Sequence, residues 1–441
     1  MNPRDSRLDW IQRFADGLAS EEEAGQLERA LRDDPELRAA YLEYTNIDSA
    51  LEAMAAASEA EATEKLISFP RAHRWRWAAA AAALVVFIGA WFALRTPGAN
   101  GPRVTAQVIE AEGAEGWRAG ASVALRKLSL ARGDLLLRLE SGALVSVRAP
   151  AEMEFLDPMR LRVSKGQVTT DVGDNAKGFT VETAQTQVVD LGTKFGVEVS
   201  DSGHTDVVVF QGKVELYDRQ RHNSDAPFSQ LTEGEAVRVD ARQQLTRIVN
   251  VTSGPHKEQW SSGGPEQTQS VIASVRDNLR DPQARYFYRI VPGGLQEDVR
   301  AFVGQRHEWN GLDANGIAPW LLGADLVQTF MSDRLKTSLE LTVTVARPAV
   351  LYVFFDDRKE HPAWLSQNFT DTGAKIGLEF APPPSSGRAV AKGPGAGTLA
   401  RLSVWKREMP QAGSITLGPP HSPDEISTSW NWMYGIAAKP L

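Results

Sequence analysis

The stretch FTVETAQTQVVDLGTKFGVEV, residues 179–199, runs on through SDSGH into TDVVVFQGKVELYD, residues 205–218, and its reading decides the fold. Apolar and polar residues alternate along it, so that Val207 and Val209 point one way, with Val214 and Leu216 continuing past Gln211–Gly212. That Gln-Gly pair predicts a turn between two strands, with Gly212 in the hairpin. Gly192 suits a bend or bulge inside a strand, Thr193 can hydrogen-bond its own turn, and Phe195 has the bulk to plug a core beneath. All of these are structural jobs, and none marks a catalytic group.

Working outward, the runs GDLLLRL (133–139), ALVSVRA (143–149) and RLRVSKGQVTTDV (160–172) repeat the period of two between turn residues, with Leu135, Leu137 and Leu139 on one face. An all-β domain over 104–251 follows. The two halves of the opening stretch, with Gly192, Thr193 and Phe195 in the first and Gly212 in the second, resemble the FecR domain. The resemblance implies the exported sensory module of iron-uptake sigma regulators and their relatives, with those four residues as its structural signature.

Residues 77–94, WAAAAAALVVFIGAWFAL, carry no charge and are fenced by Arg71, Arg74 and Arg76 before and Arg95 after. At about 1.5 Å per residue this run makes roughly 27 Å of helix, close to the roughly 30 Å hydrocarbon thickness of a bilayer. A transmembrane helix is expected over 75–95, with Trp77 and Trp91 at the interfaces. The heavier basic flank places the N-terminus in the cytoplasm and the larger C-terminal part in the periplasm, as a single-pass protein of a bacterial inner membrane.

Ahead of that run, Trp10, Ile11, Phe14 and Leu18 recur at helical spacing; Ser20 and Glu23 form a capping box before Ala24, Leu27 and Leu31; and Ala40, Tyr44, Ile47 and Leu51 stripe a third helix after Pro35. A small all-α domain over 1–55 is expected, followed by an Ala/Glu-rich linker and basic flank over 56–74. Residues 1–67 hold 16 Asp/Glu against 7 Lys/Arg, so a thin core with an acidic surface suggests docking on a partner. The string WIQRFADGLASEEEAGQLERALRDDPELRAAYLEY resembles the helical N-terminal domain of membrane-bound anti-sigma factors. That resemblance implies an extracytoplasmic-function sigma factor gripped through Trp10, Phe14, Leu18, Leu27, Leu31, Tyr41, Tyr44 and Ile47, without the zinc ligands of some members.

Beyond the first β domain, 252–284 reads as a polar linker containing a short helix, SVIASVRDNLRD. Strand-like runs then recur at YFYRIV, SLELTVTV, AVLYVFF, IGLEF, RLSVWKRE and SITLG, giving a C-terminal β-sandwich over 285–441, similar to modules appended to polysaccharide lyases and surface proteins. Trp364 and Trp432, together with Trp320 and Trp430, are candidate stacking surfaces for a glycan, with Asp356, Asp357 and Arg358 as hydrogen-bonding partners. More often such residues are core and loop structure.

Composition narrows the function classes. The 441 residues contain no cysteine, which excludes disulfides, zinc thiolates and thiol catalysis. A net charge of -8 without a basic face argues against direct nucleic-acid recognition. The seven histidines form no H-E-x-x-H or i,i+4 pair, and there is neither a P-loop nor a G-x-S-x-G elbow. No cofactor, metal or enzyme activity is expected. The whole reads as a multi-domain FecR-type regulator that holds a sigma factor inside and senses a periplasmic or outer-membrane partner, or a glycan, outside. The alternative is a membrane-anchored envelope or carbohydrate-binding protein without sigma-factor regulation.

Overall fold

A computed structural model describes residues 103–219, 226–254, 259–263, 270–280, 284–380, 393–395, 397–421 and 432–441, which fall within one compact unit, Asn100–Leu441. Among them, three sheets account for nearly all regular structure. The fold class expected from sequence is corrected here. The described chain is an all-β structure whose one α-helix, α1 (Ala363–Asn368), has 6 residues, and no described helix is long and apolar enough to cross a membrane. The helical domain at 1–55, the linker at 56–74 and the span at 75–95 lie outside the described residues, as do the eight sigma-binding candidates between Trp10 and Ile47.

The 14-stranded sheet comprises β1 (Val104–Glu112), β2 (Ser122–Leu125), β3 (Lys127–Leu130), β4 (Asp134–Leu139), β5 (Leu144–Asp157), β6 (Arg160–Asp171), β7 (Thr180–Glu182), β8 (Thr186–Asp190), β9 (Lys194–Val199), β10 (Thr205–Gln211), β11 (Lys213–Asp218), β12 (Ser229–Thr232), β13 (Ala236–Val239) and β14 (Leu245–Arg247). Its spine is the long antiparallel pair β5 and β6, in which Val147 faces Val168. On β4, Leu135, Leu137 and Leu139 are buried while Arg138 is exposed, the alternation that a half-buried strand requires. These leucines join Val145, Val147, Phe155, Phe179, Phe195 and Val207 in one core.

The remaining strands are β15 (Asn250–Ser253), β16 (Trp260–Ser261), β17 (Ile272–Asp277), β18 (Tyr288–Val291), β19 (Val299–Arg300), β20 (His307–Asn310), β21 (Asp325–Gln328), β22 (Leu341–Val345), β23 (Ala349–Asp356), β24 (Thr370–Phe380), β25 (Thr398–Met409), β26 (Gly413–Leu417) and β27 (Gly435–Pro440). Ten of them form a second sheet in the order β16-β15-β18-β21-β27-β23-β25-β24-β20-β19, and β17-β22-β26 form a third. Val275, Val343 and Leu417 of the three-stranded sheet share one core with Leu351, Val353 and Val404 of the ten-stranded sheet. The two layers therefore exclude water together.

Two local expectations change. The segment expected to hold a short helix between the β domains forms strand β17 instead, paired antiparallel with β22. Its apolar residues Val271, Ile272, Val275 and Leu279 fit helical spacing, but a register shift between Ile272 and Ser274 brings Ile272 and Val275 to the same core. Gly212 is not a hairpin tip either. Strand β10 pairs with β9 and β13, while β11 pairs with β8 and β12. Residues 186–199 and 205–218 are thus two long arms of one ribbon whose tip is Ser200–His204, closed by Gly203 N–H donating to Ser200 O at 2.9 Å.

Candidate functional site

Both arms of that ribbon bend at the same level, at Leu191–Thr193 on one and Gly212 on the other. The bend lets the outer half, β8 with β11, pair with β7 and β12, while the inner half, β9 with β10, pairs with β6 and β13. Asp190 holds the first arm. Its carboxylate accepts from Gly192 N–H at 2.8 Å and Thr193 N–H at 2.7 Å, and from the Thr193 hydroxyl. This is an Asx-type turn reinforced by a second side chain. Gly192 sits at φ +102° and Gly212 at φ +80°, conformations that a side chain with a Cβ adopts at a cost. A Cβ on Gly212 would stand 2.6 Å from Thr193 Cγ2 and 2.9 Å from Gly192 O, so the two arms cross too closely for any other residue.

Burial dominates the electrostatics of the turn. Asp190 is fully buried, and desolvation pushes its carboxyl up to about 6, against the pull of the Gly192 and Thr193 amides and the nearby Lys177 charge. Its oxygens are taken up by donors of its own turn, which makes it a structural anchor. Phe195 is fully buried in the large core of the first sheet. Asp190 itself was not singled out from sequence, although an Asp two residues before Gly-Thr is the signal of such a turn.

The inner half of the ribbon has a second role. Along β10, Val207 and Val209 enter the large core of the first sheet, whereas Val208 and Phe210 point the other way into a smaller cluster with Ala236, Ile248, Val251, Trp260 and Phe287. Trp260 comes from the segment expected to be a linker, and its ring lies against the backbone of Gly196: a Cβ there would be 2.4 Å from Trp260 Nε1. Phe210 meets Trp260 and Phe287 edge-on at centroid distances of 6.3 and 6.4 Å. An interior strand glycine signals such close approach.

The candidate glycan residues do not assemble into one surface. Asp356 is buried and held by Arg358, with Nε–Oδ1 at 2.9 Å and Nη2–Oδ2 at 2.6 Å. Asp357 accepts from Lys375 Nζ at 3.0 Å and from the Ser403 hydroxyl. Trp364 donates its indole N–H to Pro419 O at 2.9 Å and packs on Phe355 and Tyr434. Trp432 packs on His307, within an aromatic series that runs through Phe302 and Trp309 to Phe354. Phe354 and Phe355 are successive residues of one strand, so Trp364 and Trp432 belong to opposite faces of the sheet. Trp320 is 43% exposed and leans on Tyr352, while Trp430 lies outside the described residues.

Two buried polar groups were not anticipated. His307 is pushed down to about 4, chiefly by burial and further by Arg334 and Arg300, so it is neutral at ordinary pH. Arg280 pairs with Asp333 at 2.7 Å and Asp277 at 3.3 Å, with its guanidinium 4.0 Å from the centre of the Phe330 ring, while the Tyr288 hydroxyl donates to Asp277 at 2.8 Å. Among the described residues no group of His, Asp and Glu is placed to hold a metal ion.

Residues 126–215, which include the bend at Gly192 and Gly212, match the family described as FecR protein. This region is a FecR domain. It ends inside β11, so β12, β13 and β14, which complete the sheet around the ribbon, lie beyond the matched residues of the FecR domain. No curated protein matches the chain.

Among solved structures, the chain is similar to two crystal structures of a candidate anti-sigma factor from Parabacteroides distasonis ATCC 8503. They are 22% and 24% identical, with TM-scores of 0.24 and 0.23, and each match covers 27% of this chain and 58% of that one. It is also similar to a beta-glucuronidase from glycoside hydrolase family 2, at 12% identity and a TM-score of 0.28, over 77% of this chain and 39% of that one. The chain thus spans little more than half the length of the first two structures. TM-scores of this size carry no functional weight.

Proposed function

We propose that the chain is a FecR-type regulator that binds an extracytoplasmic-function sigma factor and couples it to a signal in the bacterial envelope. The observation that carries this reading is the FecR domain itself, matched at residues 126–215 and organised around the Asp190–Thr193 bend. The acidic segment 1–67, with its apolar residues Trp10, Phe14, Leu18, Leu27, Leu31, Tyr41, Tyr44 and Ile47, is the part assigned to the sigma factor. In this reading that segment faces the cytoplasm and the β sheets work in the periplasm.

Regulation then requires that an outside ligand favour one arrangement of the β region over another, or expose a site for cleavage, because a ligand that binds two states equally shifts neither. The test is affinity capture with the full-length chain in its native host. A sigma factor should co-purify, and Phe14→Glu, Leu27→Glu and Tyr44→Glu should each remove it while leaving the β region folded. Capture of no sigma factor, or capture indifferent to all three substitutions, would overturn the proposal and favour the envelope-binding alternative.

A further inference from the structure

The contact between the 14-stranded sheet and the C-terminal sheets is smaller than the interiors on either side. Its apolar part is the seven-residue cluster around Trp260, separate from the two large cores. Its backbone part is one isolated antiparallel bridge, Glu235 to Tyr286, with Ala236 N–H donating to Arg285 O at 2.9 Å and Phe287 N–H to Gly234 O at 3.0 Å. Its polar part is Arg247 of β14, whose Nε donates to Tyr286 O at 2.7 Å and whose Nη2 stands 3.7 Å from Asp277 of β17, with Arg285 Nη1 donating to the Ser229 hydroxyl at 2.7 Å and the Ser262 hydroxyl to Asp206 at 2.6 Å. Two buried donors, Trp260 Nε1 and Arg247 Nη2, find no acceptor. A seven-residue apolar patch opens at lower cost than either large core, each of which buries several times as many apolar side chains.

We infer that this junction is a releasable clasp. The C-terminal sheets lift from the 14-stranded sheet as a unit, pivoting where β14 leads into β15, before either large core unfolds. Lifting withdraws Trp260 from Gly196 and bares Val208 and Phe210 of the signature ribbon with Ala236 of β13 beside them. The clasp therefore sets whether that face is covered or available. It stands on the geometry of the junction and does not depend on the identity of the partner.

Native-state hydrogen exchange on the full chain, at rising sub-denaturing urea, tests it. The Ala236 and Phe287 amides should exchange at least tenfold faster than those of Val145 in β5 and Val353 in β23, through an opening with a smaller urea dependence. Gly196→Val, whose side chain would collide with the Trp260 ring, should speed Ala236 and Phe287 at least tenfold more and leave Val145 and Val353 unchanged. Glu235→Cys with Tyr286→Cys supplies the converse. The bridge is a non-hydrogen-bonded pair, within reach of a disulfide, in a chain with no other cysteine. Oxidation should slow both amides to the rate of the cores, and reduction should restore the difference. Exchange of Ala236 and Phe287 together with Val145 and Val353 in the unmodified chain, or an oxidised pair that still exchanges early, would overturn the clasp.

Discussion

Replacing Gly212 by alanine should damage the FecR bend in a way that a second substitution partly repairs. At φ +80° an alanine pays about 1 kcal/mol or more for a left-handed backbone. Its Cβ would also meet Thr193 Cγ2 at 2.6 Å, and moving that side chain breaks the hydroxyl's bond to the buried Asp190 carboxylate. A hydrogen bond to a charged group contributes about 1.5–3 kcal/mol, so the total loss should be about 3–4 kcal/mol. Thr193→Ser in the Gly212→Ala background removes Cγ2 and keeps the hydroxyl. It should recover about 2 kcal/mol and leave the backbone cost, because the two residues touch and their effects do not add. The assay is urea-dependent exchange of the Phe195 and Val197 amides, which report the inner half of the ribbon directly. A Gly212→Ala loss below about 1 kcal/mol, or no recovery with serine, would refute the account of the bend.

Two further outcomes follow from buried charge. In the unfolded chain the Asp190 carboxyl ionises near 3.8, and in the folded chain near 6, so the native state holds a proton that the unfolded state has lost between those values. This contribution to stability is full below the lower value, falls as pH rises through the interval, and is gone above it; Asp190→Asn should remove up to about 3 kcal/mol of that pH dependence, read as the difference between the two proteins' urea midpoints at pH 4 and pH 7. Arg280→Met should cost about 3–5 kcal/mol by leaving the Asp277 and Asp333 carboxylates buried without their cation, seen as a fall in thermal midpoint, and a change under 1 kcal/mol would show that the pair carries little.

Strand runs such as GDLLLRL were legible because one buried face and one wet face impose a period of two on the side chains. The turn at Gly212 was misplaced because a positive-φ glycine reads alike whether it reverses the chain or crimps a ribbon, and only the pairing of β10 with β9 separates the two. The segment at 271–280 was misread because Val271, Ile272, Val275 and Leu279 satisfy either period once a bulge is allowed. Asp190 and the Gly196–Trp260 contact depend on what lies across from them, and no local pattern states that. The glycan candidates sit apart for the same reason. Neighbouring positions in sequence, Phe354 and Phe355, send their aromatic partners to opposite sides of a sheet.

Strand β10 is buried on both sides, with Val207 and Val209 serving one interior and Val208 and Phe210 another. It therefore has little tolerance for polar replacement at any of these four positions. It also bears on how the region can be dissected. A fragment trimmed at residue 215, where the family match ends, would present Val208 and Phe210 to water and lose β13, which pairs with β10. Such a fragment should be sticky and poorly soluble, whereas one carried past Phe287 would keep that flank dry.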